Sequence, residues 1–401
     1  MMNCLRAIVG YAIVTTLLNS IKVLDMTTVL SGPACTSVLA HMGAEVIKVE
    51  APSGDIMRNV GEPRIETLAP IFMQVNRGKK SVVIDLRTEE GKAALRVLAA
   101  QCDVVVENFR PGVMERLGLG YDTLKADNPD LVYASISGFG AEGPWSDMRA
   151  YDLMIQALSG FMGMQGRHGE PEYVQCAIAD KITGRAAAEG ILAALVARGA
   201  GQGGAHIAVS MLDATIEFLM EDSMALHTFL DRTVSKERLN HAKFKVADGW
   251  VSILFLQLEE YHSLFRVLGR EDLCSDARFA TREALVRHFA DWQREAGALM
   301  AQWSAEELIA MTRAAKLPVA PVLTQEQMFT FDQVVANGTF AVRDLGEAAG
   351  RVRYLNGPWR INGAALTSPA DAPRLGEHSA EILGGIGYDA AMIARAAGKT
   401  L

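Results

Sequence analysis

Cysteine is scarce in this chain. Five occur among 401 residues, Cys4, Cys35, Cys102, Cys176 and Cys274. An odd number spread so widely gives neither a disulfide framework nor the paired spacing of a zinc site, and it suits a reducing cytosol. The eight histidines form no His-Glu-x-x-His or His-x-His pair, so no metal is expected and a zinc hydrolase is disfavoured. Neither a Gly-x-Ser-x-Gly elbow nor a Walker lysine loop is present. Positive charge is also short: 39 Lys and Arg face 47 acids, a formal net charge of −8. That balance argues against nucleic acid and an anionic membrane as partners, and leaves room for a small anion on a local basic cluster. Residues 4–19 are apolar but too short for a confident membrane span, and no small-residue cleavage site follows. Residues 1–20 therefore read as an extension ahead of a soluble, cytoplasmic protein.

What the chain does have is length and apolar content enough for two domains. Ile21–Asp25 reads as a buried strand, followed by Ser31-Gly-Pro33, an amphipathic run from Ala34 to Met42, and a strand at Glu45–Val49. That strand–helix–strand unit predicts a parallel sheet. Further strands are expected at Ser81–Asp85, Asp103–Glu107, Leu131–Ser135 and Ala205–Ser210. Helices are expected at Glu89–Ala100, Tyr121–Asp127, Tyr151–Met162 and Met211 to about Leu230. Near-continuous apolar strands mean a sheet covered on both faces, an α/β doubly wound arrangement. We place this large Rossmann-like domain at 21–230 and a smaller, more charged α+β domain at 231–346. Residues 347–401 return to the first.

Four stretches carry chemistry. A short apolar run ends at Asp180, where a long alanine-rich helix begins; the carboxylate reads as an N-cap held ionised by the helix amides, or as a nucleophile. Asn76-Arg77-Gly78-Lys79-Lys80 precedes a strand and is either a solvated basic turn or a phosphate grip. Asn108, Phe109 and Arg110 follow a parallel strand at its carboxyl end, where ligands of α/β sheets bind; the plain alternative is a turn closed by Pro111-Gly112. Gly138-x-Gly140-x-x-Gly143 matches the dinucleotide fingerprint in letters, but Pro144 and Trp145 follow where a helix should open, so NAD binding is not expected.

Taken in order, these stretches resemble the family III CoA transferases, the group that includes formyl-CoA transferase and carnitine CoA-transferase. The matching pieces also include Gly43–Glu50, Arg116, Tyr151-Asp152 and Leu375–His378. The resemblance implies an enzyme that moves CoA between an acyl-CoA and a free carboxylic acid. Asp180 would carry first the acyl group as a mixed anhydride and then CoA as a thioester. It implies CoA contacts at Asn76, Arg77, Gly78, Lys79, Asn108, Phe109, Arg110, Arg116, Arg149 and Tyr151, with CoA as substrate and no tightly bound cofactor. It further implies a homodimer of two interlocked chains. Ala51 and Leu30 stand where the formyl-CoA enzyme has an arginine and a glutamine, which points away from oxalate and formate. The same fold serves α-methylacyl-CoA racemases, whose histidine base is replaced here by Tyr151; with a pKa of about 10, tyrosine is a poor base at neutral pH. A catalytically silent CoA-binding protein is the third reading.

Overall fold

The computed structural model describes residues 17–63, 65, 67–166, 169–231, 242–347, 349–366 and 370–399. Most of the apolar N-terminal segment, residues 4–16, lies outside them. The described chain divides into two compact units, one of residues up to 225 together with 337 onward, the other of residues 226–336.

The first unit is built on six parallel strands: β1 (Lys22–Asp25), β2 (Glu45–Glu50), β3 (Lys79–Val83), β4 (Val104–Glu107), β5 (Val132–Ser137) and β6 (Ala205–Ser210). Their spatial order is β3-β2-β1-β4-β5-β6, the Rossmann arrangement whose two halves diverge between β1 and β4. Along each strand the side chains alternate between two cores, because successive residues point to opposite faces. Leu24, Ile47, Val82 and Val105 face one core with Leu95, Leu98 and Leu124, while Val23, Val46, Val104 and Val132 face the other with Leu39, Ala187 and Ile191.

The helices that fill these layers are α1 (Ser31–His41), α2 (Pro70–Val75), α3 (Glu89–Ala100), α4 (Val113–Arg116), α5 (Tyr121–Asp127), α6 (Asp152–Leu158), α7 (Phe161–Gln165), α8 (Ile178–Gly199) and α9 (Met211–His227). Helix α3 starts where Thr88 accepts the Gly91 amide and two glutamates complement the dipole. The single helix expected from Tyr151 to Met162 is broken, because Gly160 adopts φ 87° between α6 and α7.

Strand β3 lies at the sheet edge, and the C-terminal segment covers it. Ser81 N–H meets His378 Nδ1 at 3.2 Å, Val83 N–H donates to Ser379 Oγ at 3.0 Å, and His378 N–H donates to the Ser81 carbonyl at 2.9 Å. Bonds that would otherwise face solvent are thus taken within the unit. A hairpin of β7 (Ala242–Val246) and β8 (Gly249–Ile253) joins β9 (Val319–Pro321) in the second unit, where Trp292 is buried among Phe244, Phe255 and Tyr261. The antiparallel hairpin β10 (Phe340–Asp344) and β11 (Arg351–Leu355) groups with the first unit, so the units divide at 226 and 337 rather than at 231 and 347.

Candidate active site

In an open parallel sheet, the crevice lies at the carboxyl ends of the two strands where the order reverses. Here those are β1 and β4, and the two loops that leave them are tied together. The Asn108 carboxamide accepts from Thr28 N–H at 2.9 Å and donates to the Thr28 carbonyl at 2.8 Å. The next residue, Val29, has φ 67°, a left-handed conformation that costs a β-branched side chain energy and needs its surroundings to impose it. Asn108 on one side and α1 on the other supply that constraint, aided by Asp55 Oδ1, which accepts the Val29 amide at 3.3 Å. Gly32 then has to be glycine, since a Cβ there would lie 2.2 Å from the Thr27 side chain.

Asp180 approaches this loop from α8. It is the third residue of the helix, whose N-cap is Ala177, so the N-cap expected from sequence is corrected: Asp180 lies inside the first turn and does not cap it. Its own N–H donates to Asp152 Oδ2 at 3.1 Å. Ser31, the first residue of α1, is near enough to favour the ionised form of Asp180. Two helix starts therefore converge on one carboxylate. The approach is close because residue 184 has no side chain: a Cβ on Gly184 would stand 2.6 Å from the Ser31 carbonyl oxygen.

The electrostatic expectation also needs revision. Burial, followed by the negative charge of Asp152, pushes Asp180 up to about 6, against the opposing pull of Ser31 and Lys181. Desolvation outweighs the helix amides. At neutral pH the group is still mostly ionised, yet it is a better nucleophile and a poorer leaving group than a solvated aspartate.

Behind Asp180 stands Gln156, fully buried on α6. Its carboxamide donates to Asp152 Oδ1 at 2.5 Å and to the carbonyls of Val174 and Cys176 at 3.3 Å, and accepts the Val174 amide at 2.9 Å. It fastens the extended segment that leads into α8 and holds Asp152 in place.

The basic turn before β3 is largely interior. Lys79 is buried, and its ammonium donates to Asp25 Oδ2 at 2.9 Å, Thr36 Oγ1 at 2.7 Å and Asn76 Oδ1 at 2.9 Å. Burial alone would raise Asp25, but Lys79, Lys48 and the hydroxyls of Thr27 and Thr36 hold it at about 2. Arg77 is buried over the Tyr354 ring, 4.9 Å from its centroid, with Nη2 2.9 Å from His41 Nε2. Gly78 takes φ 71° to make the turn. These groups brace α1 from beneath; the arrangement leaves the Lys79 ammonium no exposed face for a phosphate. Neighbouring strands continue the buried network, with Lys48 on Asp55 at 3.0 Å and Arg58 holding both oxygens of Glu50 at 2.6 and 2.7 Å.

The remaining predicted contacts are surface groups. Arg110 and Arg116 are exposed, at and just beyond the turn that leaves β4, while Phe109 is half-buried against the core. Arg149 and Tyr151 are exposed in the loop before α6, Tyr151 at 62 %. No helix opens at Gly143, whose carbonyl accepts the Ser146 amide in a turn; the dinucleotide reading fails here as expected. Gln156 and Gly184 had not been singled out from sequence. Their only signal was spacing, since each lies four residues beyond an aspartate on a helix.

Known proteins are similar to this chain along most of its length. The sequence pattern of CoA-transferase family III matches residues 18–379. A succinate–glutarate CoA-transferase of Agrobacterium fabrum is 33% identical over 383 residues, covering 91% of this chain and 94% of that protein. A succinyl-CoA:mesaconate CoA-transferase of Haloarcula hispanica is 33% identical over 386 residues, covering 91% and 95%. The crystal structure of a CaiB/BaiF family protein from Brucella suis superposes with a TM-score of 0.81 at 33% identity, covering 92% of this chain and 99% of that one. Since the match runs through both loops of the crevice and through Asp180, the chain belongs to CoA-transferase family III and is an enzyme of that transferase class.

Proposed function

We propose that this enzyme moves CoA from an acyl-CoA to a free carboxylic acid with Asp180 as covalent carrier. An Asp180 oxygen attacks the thioester carbonyl, the C–S bond breaks, and CoA leaves as thiolate, giving a mixed anhydride. The thiolate then attacks the Asp180 carbonyl carbon and expels the donor acid as carboxylate, leaving an aspartyl-CoA thioester. The acceptor acid repeats the two displacements in reverse, and Asp180 is regenerated. Each step exchanges one anion for another, so no metal or redox partner enters the balance.

The observation that carries this reading is the half-buried Asp180, raised to about 6 and held against the first turn of α1. Arg110, Arg116, Arg149, Tyr151, Asn108 and Phe109 are the groups proposed for CoA, with the exposed arginines suited to its phosphates. Asn76, Arg77, Gly78 and Lys79 contribute by fixing the loop that Asn108 and Asp180 share. CoA is substrate, and no tightly held cofactor is invoked. The names of the relatives direct the first acceptor panel to short dicarboxylic acids such as succinate, glutarate and mesaconate.

Trapping tests the reading directly. Incubation with acyl-CoA followed by hydroxylamine should modify Asp180, and mass spectrometry locates the adduct. An Asp180→Ala variant that retains full transfer activity sinks it. Deuterium uptake at the acyl α-carbon without any acceptor would instead favour the racemase chemistry. The interlocked homodimer is part of the same proposal and is checked by solution mass; a monomer with full activity overturns it.

A further inference from the structure

We infer that Lys48 and Asp55 are positioning residues of this site: their buried ion pair imposes the left-handed turn at Val29, and that turn sets where the loop leaving β1 stands relative to Asp180. The inference rests on Asp180 being the covalent carrier. Neither residue is open to substrate. Lys48 is 0% exposed and Asp55 2%, and their charges meet at 3.0 Å. Whatever they do for the reaction passes through the chain they hold.

The hold runs without a gap from the Thr27 amide to the Val29 amide. Thr27 N–H donates to Asp25 Oδ1 at 3.0 Å, and the Thr27 carbonyl accepts from Lys48 Nζ at 2.8 Å. Asn108 takes both backbone groups of Thr28, and Asp55 Oδ1 accepts the Val29 amide at 3.3 Å. Lys48 and Asp55 thus grip the chain on either side of Thr28 while pairing with each other. The pair is itself backed: Asp55 N–H donates to Glu50 Oε2 at 3.0 Å, and Arg58 holds that carboxylate.

Val29 needs such a hold. A φ of 67° is costly for a β-branched residue, and its side chain is 38% exposed, so burial offers little compensation. Relaxed to an ordinary negative φ, the chain would enter α1 in another direction. The start of α1 packs against α8 at Gly184, one turn beyond Asp180, so a change of entry shifts the loop against the carboxylate. The choice of an ion pair points the same way. A buried pair is seldom a net stabiliser, and apolar side chains of like size often serve a core as well. They could not bind a carbonyl and an amide of the loop.

The test compares the unmodified full chain with a Lys48→Met/Asp55→Val variant, in which both charges leave together and neither stays buried alone. With acyl-CoA and an acceptor acid as substrates, kcat should fall by about 10–100-fold, the scale of a misplaced reacting group, with the KM for acyl-CoA little altered. Adding Val29→Gly should raise that kcat again by roughly fivefold or more, because glycine adopts a positive φ without being held there. A pair that served only the fold would show no such rescue. Val29→Pro, which fixes φ at about −65° while leaving the pair intact, reads the turn without relying on the pair variant to fold. Its kcat should fall more than about tenfold. An unchanged kcat in either variant, or no rescue by glycine, overturns the inference. Failure of the underlying reading looks different: the unmodified enzyme then yields no Asp180 adduct on trapping.

Discussion

A methyl group on Gly184 would stand 2.6 Å from the Ser31 carbonyl oxygen and 2.9 Å from the Ala34 Cβ, so this pair of residues sets the separation of α1 and α8. At an open helical position, Gly→Ala stabilises by about 1 kcal/mol. Here backbone meets the new atom, and overpacking of about 1–3 kcal/mol outweighs that gain. Gly184→Ala should therefore lower the melting temperature and also reduce kcat, because Asp180 is displaced from the first turn of α1. Calorimetry and steady-state kinetics on one preparation check both.

Asp180→Asn should abolish transfer while making the protein more stable. Folding raises this carboxyl from its ordinary range to about 6, so the folded state gives up stability as pH rises from about 4 through 6. Below that window both states are protonated and the contribution is intact. The neutral amide removes the penalty, which after allowance for partial exposure is about 1–2 kcal/mol at pH 7. Urea midpoints at pH 4 and pH 7 should show the variant's advantage only at the higher pH.

Cations of the interior and of the surface should separate cleanly. Lys79→Ala leaves Asp25 buried without its main partner and should cost about 3–5 kcal/mol. Arg110→Ala and Arg116→Ala should leave stability unchanged and raise the KM for acyl-CoA by roughly 5–50-fold, the scale of a lost charge-assisted bond. A Lys79→Ala protein of undiminished melting temperature would contradict the bracing role.

Gln156→Leu keeps volume but strands the Val174 amide and one oxygen of Asp152. Groups left unpaired in this way cost about 1–3 kcal/mol each. Because the same carboxamide fastens the entry to α8, kcat should fall more than tenfold, on the order expected for a misplaced nucleophile, with KM little altered.

Much of the sheet was legible because its strands are runs of valine and isoleucine, which periodicity and turn residues delimit well. Helices Glu89–Ala100 and Tyr121–Asp127 appear with the expected bounds. The interior role of Lys79 was not legible. A lysine in a glycine-containing turn reads as solvated, and only the fold brings Asp25, Thr36 and Asn76 around it. Asp180 was found, but its environment was misjudged for the same reason. The helix amides are visible in sequence, whereas the burial and the Asp152 charge that outweigh them come from distant segments. Gly184 left only its spacing from Asp180, too weak a signal because alanine-rich helices tolerate glycine for many reasons and the partner lies on another helix.

The cover over β3 has a consequence for how the protein is made. Ser81 and His378 are separated by 297 residues, which a ribosome adds in roughly 15–60 s at about 5–20 residues per second. Throughout that interval the strand's outer amides have no partner from their own sheet. The growing chain is at its most adhesive then, and a product released before residue 376 never leaves that condition.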